Sequence, residues 1–254
     1  LNTQSYIICA TPRSGTTLLC DLLADTGIAG RPDSFFRRQS IPWWSRYFNV
    51  SIADWGDEHE FDQSYLAAVQ REGAGETQVF GMRLMWESVA DLSQRLETFY
   101  PGLPGDSARF RSAFGPPVYI HLSRENKVAQ AVSRLKAEQT GLWHVAADGT
   151  ERERVKPGQA PAYDARGIFE QVAESKAHDA AWTKWFARHG VEPVRITYES
   201  LSNEPQAVLA TVLSALGLDP DIAETVEPRT AKLADSESLE WVTRFRAERR
   251  SPPA

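Results

Sequence analysis

Residues 6–19 read Tyr-Ile-Ile-Cys-Ala-Thr-Pro-Arg-Ser-Gly-Thr-Thr-Leu-Leu. An apolar run, 6–10, ends in a tight polar turn, 11–17, and an amphipathic segment starts near Thr16. This is the order of a strand, a loop and a helix N-terminus. Such a loop gathers the N–H groups of Ser14, Gly15, Thr16 and Thr17 around a concavity at the positive end of a helix dipole, where phosphate or sulfate binds. Gly15 omits the Cβ that would block the anion. Arg13 adds a charge, and Thr16 and Thr17 add hydroxyl donors. The loop is not a Walker A motif, which needs an earlier glycine and a lysine directly after the second one. Here the basic residue precedes the glycine, which argues against an ordinary ATPase or GTPase. The bland alternative is a plain strand–turn–helix corner.

A second anchor is Arg124 with Ser133. The apolar run 118–122 reads as a central parallel strand buried on both faces, and Arg124 lies in the turn after it. Residues 127–139 read as a helix carrying Ser133. In an open parallel sheet, ligands bind beyond the carboxyl ends of the strands, so this turn and the first loop share an edge. An Arg fork and a short Ser donor are groups able to hold a phosphate; taken alone, Arg124 reads as a solvent-exposed Arg at a helix start.

The elements that must position these groups alternate. Strands are predicted at 6–10, 79–86, 118–122 and 194–198. Helices are predicted at 16–25, 61–70, 89–96, 127–139, 167–189 and 203–216, the last capped by Asn203, with a short helix around Trp241. In the 167–189 helix, Phe169, Ala173, Ala177, Ala181 and Trp185 form the expected inward face. Residues 28–29 are a candidate short strand, the aromatic-rich 37–55 an irregular surface, and 141–165 a mobile loop or lid. Together they predict a single α/β domain over 1–254: three layers around a mainly parallel sheet, with a P-loop-like nucleotide-binding fold.

Composition narrows the partners. The chain has 254 residues, a formal net charge of −6 and eight tryptophans. A negative balance speaks against a nucleic-acid-coating protein, so basic residues are read locally, as anion pockets. No apolar run reaches the length of a membrane span, and no signal-peptide pattern opens the sequence. Cys9 and Cys20 read as buried, reduced side chains. The expected location is the cytoplasm.

The block Pro12-Arg13-Ser14-Gly15-Thr16-Thr17 resembles the 5′-phosphosulfate loop of sulfotransferases that use 3′-phosphoadenosine 5′-phosphosulfate (PAPS). Over nearly its whole length the chain is similar to the bacterial Stf0-type group. The shared blocks are Arg13-Ser14-Gly15, Thr16/Thr17-Leu18-Leu19, Gly30-x-Pro32-x-x-Phe35-Phe36, Leu84-Met85-Trp86, Gln130-Ala131-Val132-Ser133, Gln139-Thr140-x-x-Trp143, Trp182-x-x-Trp185-Phe186 and Glu240-Trp241-Val242-x-Arg244. The nine-residue Arg124–Ser133 spacing is also that group's pattern.

The resemblance implies a PAPS-dependent transfer of a sulfuryl group to a sugar or glycolipid hydroxyl, with no metal. Arg13, Ser14, Gly15, Thr16 and Thr17 would hold the sulfonated end of the donor. Arg124 and Ser133, joined by Arg229 from the tail, would hold its 3′-phosphate. Arg83, where the group has a lysine, would face sulfonate or acceptor; the alternative is a surface Arg. Trp86 and Trp143 are sugar-stacking platforms or core residues. The group's trehalose-sulfating branch has its base, a Glu, directly before the Phe-Phe pair. Ser34 stands at that position here, and the nearest acid, Asp33, is either the base or an Asx-turn residue. His121 reads as a hydrogen-bonded core histidine, and Tyr198-Glu199 as a structural strand-end motif. A homodimer through the aromatic stretch 43–48 is a further implication. Two other readings stay open: a P-loop small-molecule kinase, and a nucleotide-binding relative that has lost its base.

Overall fold

The computed structural model describes residues 4–50, 58–145, 150–155, 158–228 and 235–250. Four parallel strands form the central sheet: β1 (Gln4–Ala10), β2 (Val79–Met85), β3 (Pro117–Ser123) and β6 (Val194–Thr197), in the order β2-β1-β3-β6. β1 is central, pairing Tyr6 with Gly81 on one side and with Val118 on the other.

Side chains of a strand alternate between faces, and β1 is apolar on both. Ile7 and Cys9 join Met82, Leu84 and Tyr119 on one face. There they pack under helices α3 (Glu58–Ala74), α4 (Val89–Phe99), α5 (Asp106–Phe114) and α7 (Ala165–His189). Tyr6, Ile8 and Ala10 join Ile120, Leu122 and Ile196 on the other, under α1 (Thr16–Asp25) and α9 (Pro205–Ala215). Ile7 and Ile8 are fully buried, each contributing about 1.5–3 kcal/mol by area transfer. The result is the predicted three-layer α/β fold with a mainly parallel sheet. A satellite core ties α6 (Lys127–Thr140) and α7 to α10 (Ser236–Arg250), through Val132, Ile168, Trp241 and Phe245.

Several local expectations are corrected. Helix α7 buries Ile168, Ser175, Trp182, Trp185 and Phe186, whereas Phe169 is exposed. Alanines at every fourth position suggested one stripe; the bulk of Trp182 and Phe186 selects another. Trp182 Nε1 donates to the Ala10 carbonyl at 3.0 Å. Residues 28–29 form no strand, because Gly30, at φ 74°, turns the chain away. A Cβ on Gly30 would sit 2.3 Å from the Val79 carbonyl. Asn203 closes the short helix α8 (Tyr198–Asn203), and Glu204 occupies the N-cap of α9 with no side-chain cap bond.

The stretch 37–50 holds helix α2 (Ile41–Tyr47). Residues 142–154 carry an antiparallel ribbon of β4 (Leu142–Val145) and β5 (Glu151–Arg154). Cys9 and Cys20 are buried, and neither is in a disulfide among the described residues. Among the described residues no helix is long and apolar enough to cross a membrane.

Candidate functional site

The loop after β1 has the backbone of an anion cradle. Arg13, a non-glycine residue, has φ 65° and Gly15 has φ 88°. A left-handed residue with a side chain costs about 1–2 kcal/mol, so contacts from other segments must hold it. Gln130, fully buried on α6, donates from Nε2 to Thr11 Oγ1 at 2.8 Å and to the Pro12 carbonyl at 2.7 Å. Arg124 Nη1 donates to the Arg13 carbonyl at 3.1 Å. Ser14 Oγ donates to the Thr11 carbonyl at 2.8 Å. The Ser14 hydroxyl therefore serves the loop itself, which leaves its N–H as its means of reaching an anion. Gly15 is the N-cap of α1, and a Cβ there would lie 2.6 Å from Tyr198 Cδ2.

Three guanidinium groups converge on this loop. Arg13 donates from Nε to Ser133 Oγ at 3.0 Å and from Nη1 to the Trp143 carbonyl at 2.5 Å. Burial, and then the charge of Arg124, push the Arg13 pKa down to about 10, so it stays a cation at neutral pH. Arg124 lies over the Tyr198 ring, 4.2 Å from its centroid. Its Nε is buried with no hydrogen-bond partner among the described residues. Burial lowers its pKa against the opposing pull of Tyr198 and Glu199. Glu199 is occupied in turn, accepting from the N–H groups of Glu125 and Asn126 at 3.0 and 3.1 Å. A buried donor left unmade costs about 1–3 kcal/mol, which an anion at Arg124 would remove.

Arg83, near the end of β2, joins three segments. It donates from Nε to Ser34 Oγ at 2.6 Å and from Nη1 to Thr17 Oγ1 at 2.9 Å. It also donates from Nη1 to Thr16 Oγ1 at 3.4 Å and from Nη2 to Asp33 Oδ1 at 3.2 Å. Burial is the largest single influence and works against its charge, but Asp33, Cys20, Glu153 and Asp21 together outweigh it and the pKa is raised.

A cavity of about 760 Å³ opens over this edge of the sheet. Its wall brings together Arg13, Gly15, Thr16, Thr17, Ser34, Arg83, Arg124, Ser133 and Trp143, all singled out from the sequence. Ser14 and Asp33 are not in that wall. The Asp33 carboxylate accepts from the N–H of the next residue, Ser34, at 2.5 Å and pairs with Arg83 as its counter-ion. Trp86 packs edge-on against Trp182 at 5.1 Å and does not line the cavity. Arg229 lies outside the described residues. His121 is a core residue, 5.4 Å from the Phe186 ring, and its pKa is lowered by burial.

The wall also holds residues that sequence reasoning passed over: Arg37, Arg38, Glu87, Asp91, His144, Glu153 and Tyr198. Arg37 sits over the Trp143 ring at 5.5 Å, and Arg38 pairs with Asp91 at 3.0 Å. The Arg37-Arg38 pair directly after Phe35-Phe36 was a visible signal for the first two. Tyr198 was visible only as a strand-end motif. His144 and Glu153 face one another across the ribbon, a pairing that no short-range pattern displays. Among the described residues, one group of three potential ligand atoms, from Glu87, Glu174 and His178, falls within 4.8 Å. Glu174 is also ion-paired with Arg134 at 3.2 Å.

The family model described as Stf0 sulphotransferase matches residues 5–248. The trehalose 2-sulfotransferase of Mycobacterium tuberculosis (Erdman) is 32% identical, the match covering 96% of this chain and 95% of that protein. The trehalose 2-sulfotransferase of Mycolicibacterium smegmatis shows the same identity and coverage. A crystallised sulfotransferase from Alicyclobacillus acidocaldarius is 16% identical with a TM-score of 0.42, covering 96% of this chain and 91% of that one.

Proposed function

The chain belongs to the Stf0 sulphotransferase family and is a sulfotransferase; from that premise we propose that it moves a sulfuryl group from PAPS to a hydroxyl of a trehalose-like sugar or its glycolipid. The observation that carries this reading is the cradle at residues 13–17, facing two half-buried guanidinium groups, one with a buried Nε that has no partner among the described residues. The residues fit a donor with two anionic ends. The loop N–H groups, Thr16, Thr17 and Arg83 would take the sulfonated end, and Arg124 with Ser133 the 3′-phosphate. When bound, PAPS supplies an activated sulfuryl group and a good leaving phosphate.

Arg13 has the leading role among the protein's own groups. Its guanidinium is fixed by Ser133 and Trp143 before any ligand arrives, so charge growing on the leaving phosphate oxygen meets a preorganised cation. Removing one such donor in other enzymes costs about 2.7–4 kcal/mol of barrier. Trp143, under Arg37, offers an apolar face for a sugar ring. Buried cysteines without a disulfide among the described residues support a reducing compartment, the cytoplasm. Helix α2 exposes Trp43 and Tyr47, stacked at 5.3 Å, as a face for a second copy.

The test is twofold. Calorimetry with 3′-phosphoadenosine 5′-phosphate should show binding, and labelled PAPS with trehalose should yield a sulfated sugar by mass spectrometry. Binding without turnover on a broad sugar panel would favour the base-less relative to which Ser34 points. Failure to bind the nucleotide at all would end the reading.

A further inference from the structure

The reaction needs somewhere for the acceptor's proton to go, and neither expected position supplies a free base. Ser34 is an alcohol, tied to Arg83 Nε. Asp33 is spent on Arg83 and outside the cavity wall. The wall holds a different pair. His144, on β4, places Nε2 3.1 Å from Thr17 Oγ1 and 3.4 Å from Glu153 Oε2. Thr17 belongs to the anion loop and accepts from Arg83 at 2.9 Å. The imidazole thus stands directly above the cradle, on the element whose Trp143 carbonyl holds Arg13.

We infer that His144 is the general base of this sulfotransferase, with Glu153 as its positioning residue. The inference rests on the proposed sulfuryl transfer. An imidazole is matched to proton transfer near neutral pH. The carboxylate of Glu153, 3.4 Å from Nε2, stabilises the imidazolium once Nε2 has taken the proton. In the tautomer the base requires, Nε2 is unprotonated and accepts from the Thr17 hydroxyl, and the acceptor hydroxyl takes the place of that bond when it delivers its proton. The other charged groups facing this corner are Arg13, Arg83 and Arg37, which oppose a proton on His144, while the bound donor's negative charge favours one.

The step balances. The acceptor oxygen attacks sulfur and forms an S–O bond. The bond from sulfur to the bridging phosphate oxygen breaks, and its electron pair leaves on 3′-phosphoadenosine 5′-phosphate. The hydroxyl proton passes to His144 Nε2 and later to water.

The experiment uses the full chain with PAPS and trehalose, and calorimetry with 3′-phosphoadenosine 5′-phosphate. His144→Gln should lower kcat by about 10²–10⁴-fold while nucleotide affinity stays within a few-fold. Glu153→Gln should lower kcat less than His144→Gln does and move the acid limb of the kcat–pH profile to lower pH, because loss of the carboxylate makes the imidazolium easier to deprotonate. A purely structural Glu153 would not move that limb.

Near-wild-type kcat in His144→Gln overturns the inference. So does a parallel fall in kcat and nucleotide affinity, which would make His144 a donor-binding residue. If His144→Gln does not fold, an acid limb in the wild-type profile that stays put in Glu153→Gln overturns it equally. A wild-type protein that binds the nucleotide but sulfates nothing, or does not bind it, removes the reading beneath and this inference with it.

Discussion

Gly15→Ala tests whether the cradle is built as described. The substitution has two separable costs. Gly15 sits at φ 88°, where a residue with a Cβ loses about 1–2 kcal/mol. The new methyl would also lie 2.6 Å from Tyr198 Cδ2 and 3.3 Å from Cε2. That ring cannot simply swing away, because Arg124 is over it. Overpacking of this kind costs about 1–3 kcal/mol. Gly15→Ala should therefore destabilise the protein by about 2–5 kcal/mol, read from urea unfolding with an unchanged m-value. With Tyr198→Ala in the background, the steric part disappears and the same change should cost only about 1–2 kcal/mol. The difference is the coupling energy of the pair. Equal costs in both backgrounds would show that Tyr198 does not crowd the glycine. A cost near zero in both would refute the left-handed loop altogether.

The other expectations concern the charged groups. Arg124→Gln should weaken 3′-phosphoadenosine 5′-phosphate by about 10- to 100-fold, a charge-assisted bond being worth about 1.5–3 kcal/mol; the preference over adenosine 5′-phosphate should collapse with it, and retained preference would move the 3′-phosphate elsewhere. Asp33→Asn should keep turnover within about fivefold, since a half-exposed ion pair is worth about 0–1 kcal/mol; a far larger loss of kcat at constant nucleotide affinity would restore Asp33 as the base. Burial raises the Asp235 pKa, but hydrogen bonds from Lys136 and Ser238 outweigh it and hold the group down to about 2. A depressed carboxylate stabilises the fold above its unfolded value of about 3.9 and loses that contribution as pH falls toward 2. Stability against pH, followed by circular dichroism, should thus be shallower between those values in Asp235→Asn; identical slopes would remove the Lys136–Asp235 link between α6 and α10.

Much of this architecture was legible because strands and helices alternate with distinct periods. β3 announced itself as a continuous apolar run, and α1 by leucines at helical spacing after Gly15. Helix α5 gave no such signal: Asp-Ser-Ala-Arg-Phe-Arg-Ser-Ala-Phe mixes charge with only two large apolar side chains, Phe110 and Phe114, both buried. The α7 face was misjudged since small side chains count as apolar whether or not they pack. In the site, loop residues and strand-end arginines could be found from residue type and place. Partner choice could not. Ser133 was expected beside a phosphate with Arg124, yet its Oγ accepts from Arg13, and Asp33 is taken by Arg83 fifty residues away in sequence. Such pairings are decided by packing between segments.

The conformation of the cradle is likewise a tertiary product. Its internal side-chain bond is Ser14 to Thr11, three residues apart. The contacts that hold Arg13 and its neighbours come from Gln130 and Ser133 on α6, Arg124 after β3 and Trp143 on the ribbon. A left-handed Arg would relax if these were loosened, and the loop N–H groups would turn away from a common point. On the proposed function, donor binding and the position of the ribbon would therefore be coupled through Arg13: whatever displaces the Trp143 carbonyl also frees the cation proposed to meet the leaving group. Because His144 follows Trp143 directly, a sugar that seats against the tryptophan ring acts on both the cation and the imidazole. On the proposed assignments acceptor recognition and chemistry would share one strand, so a poorly fitting sugar is expected to lower kcat rather than merely raise KM.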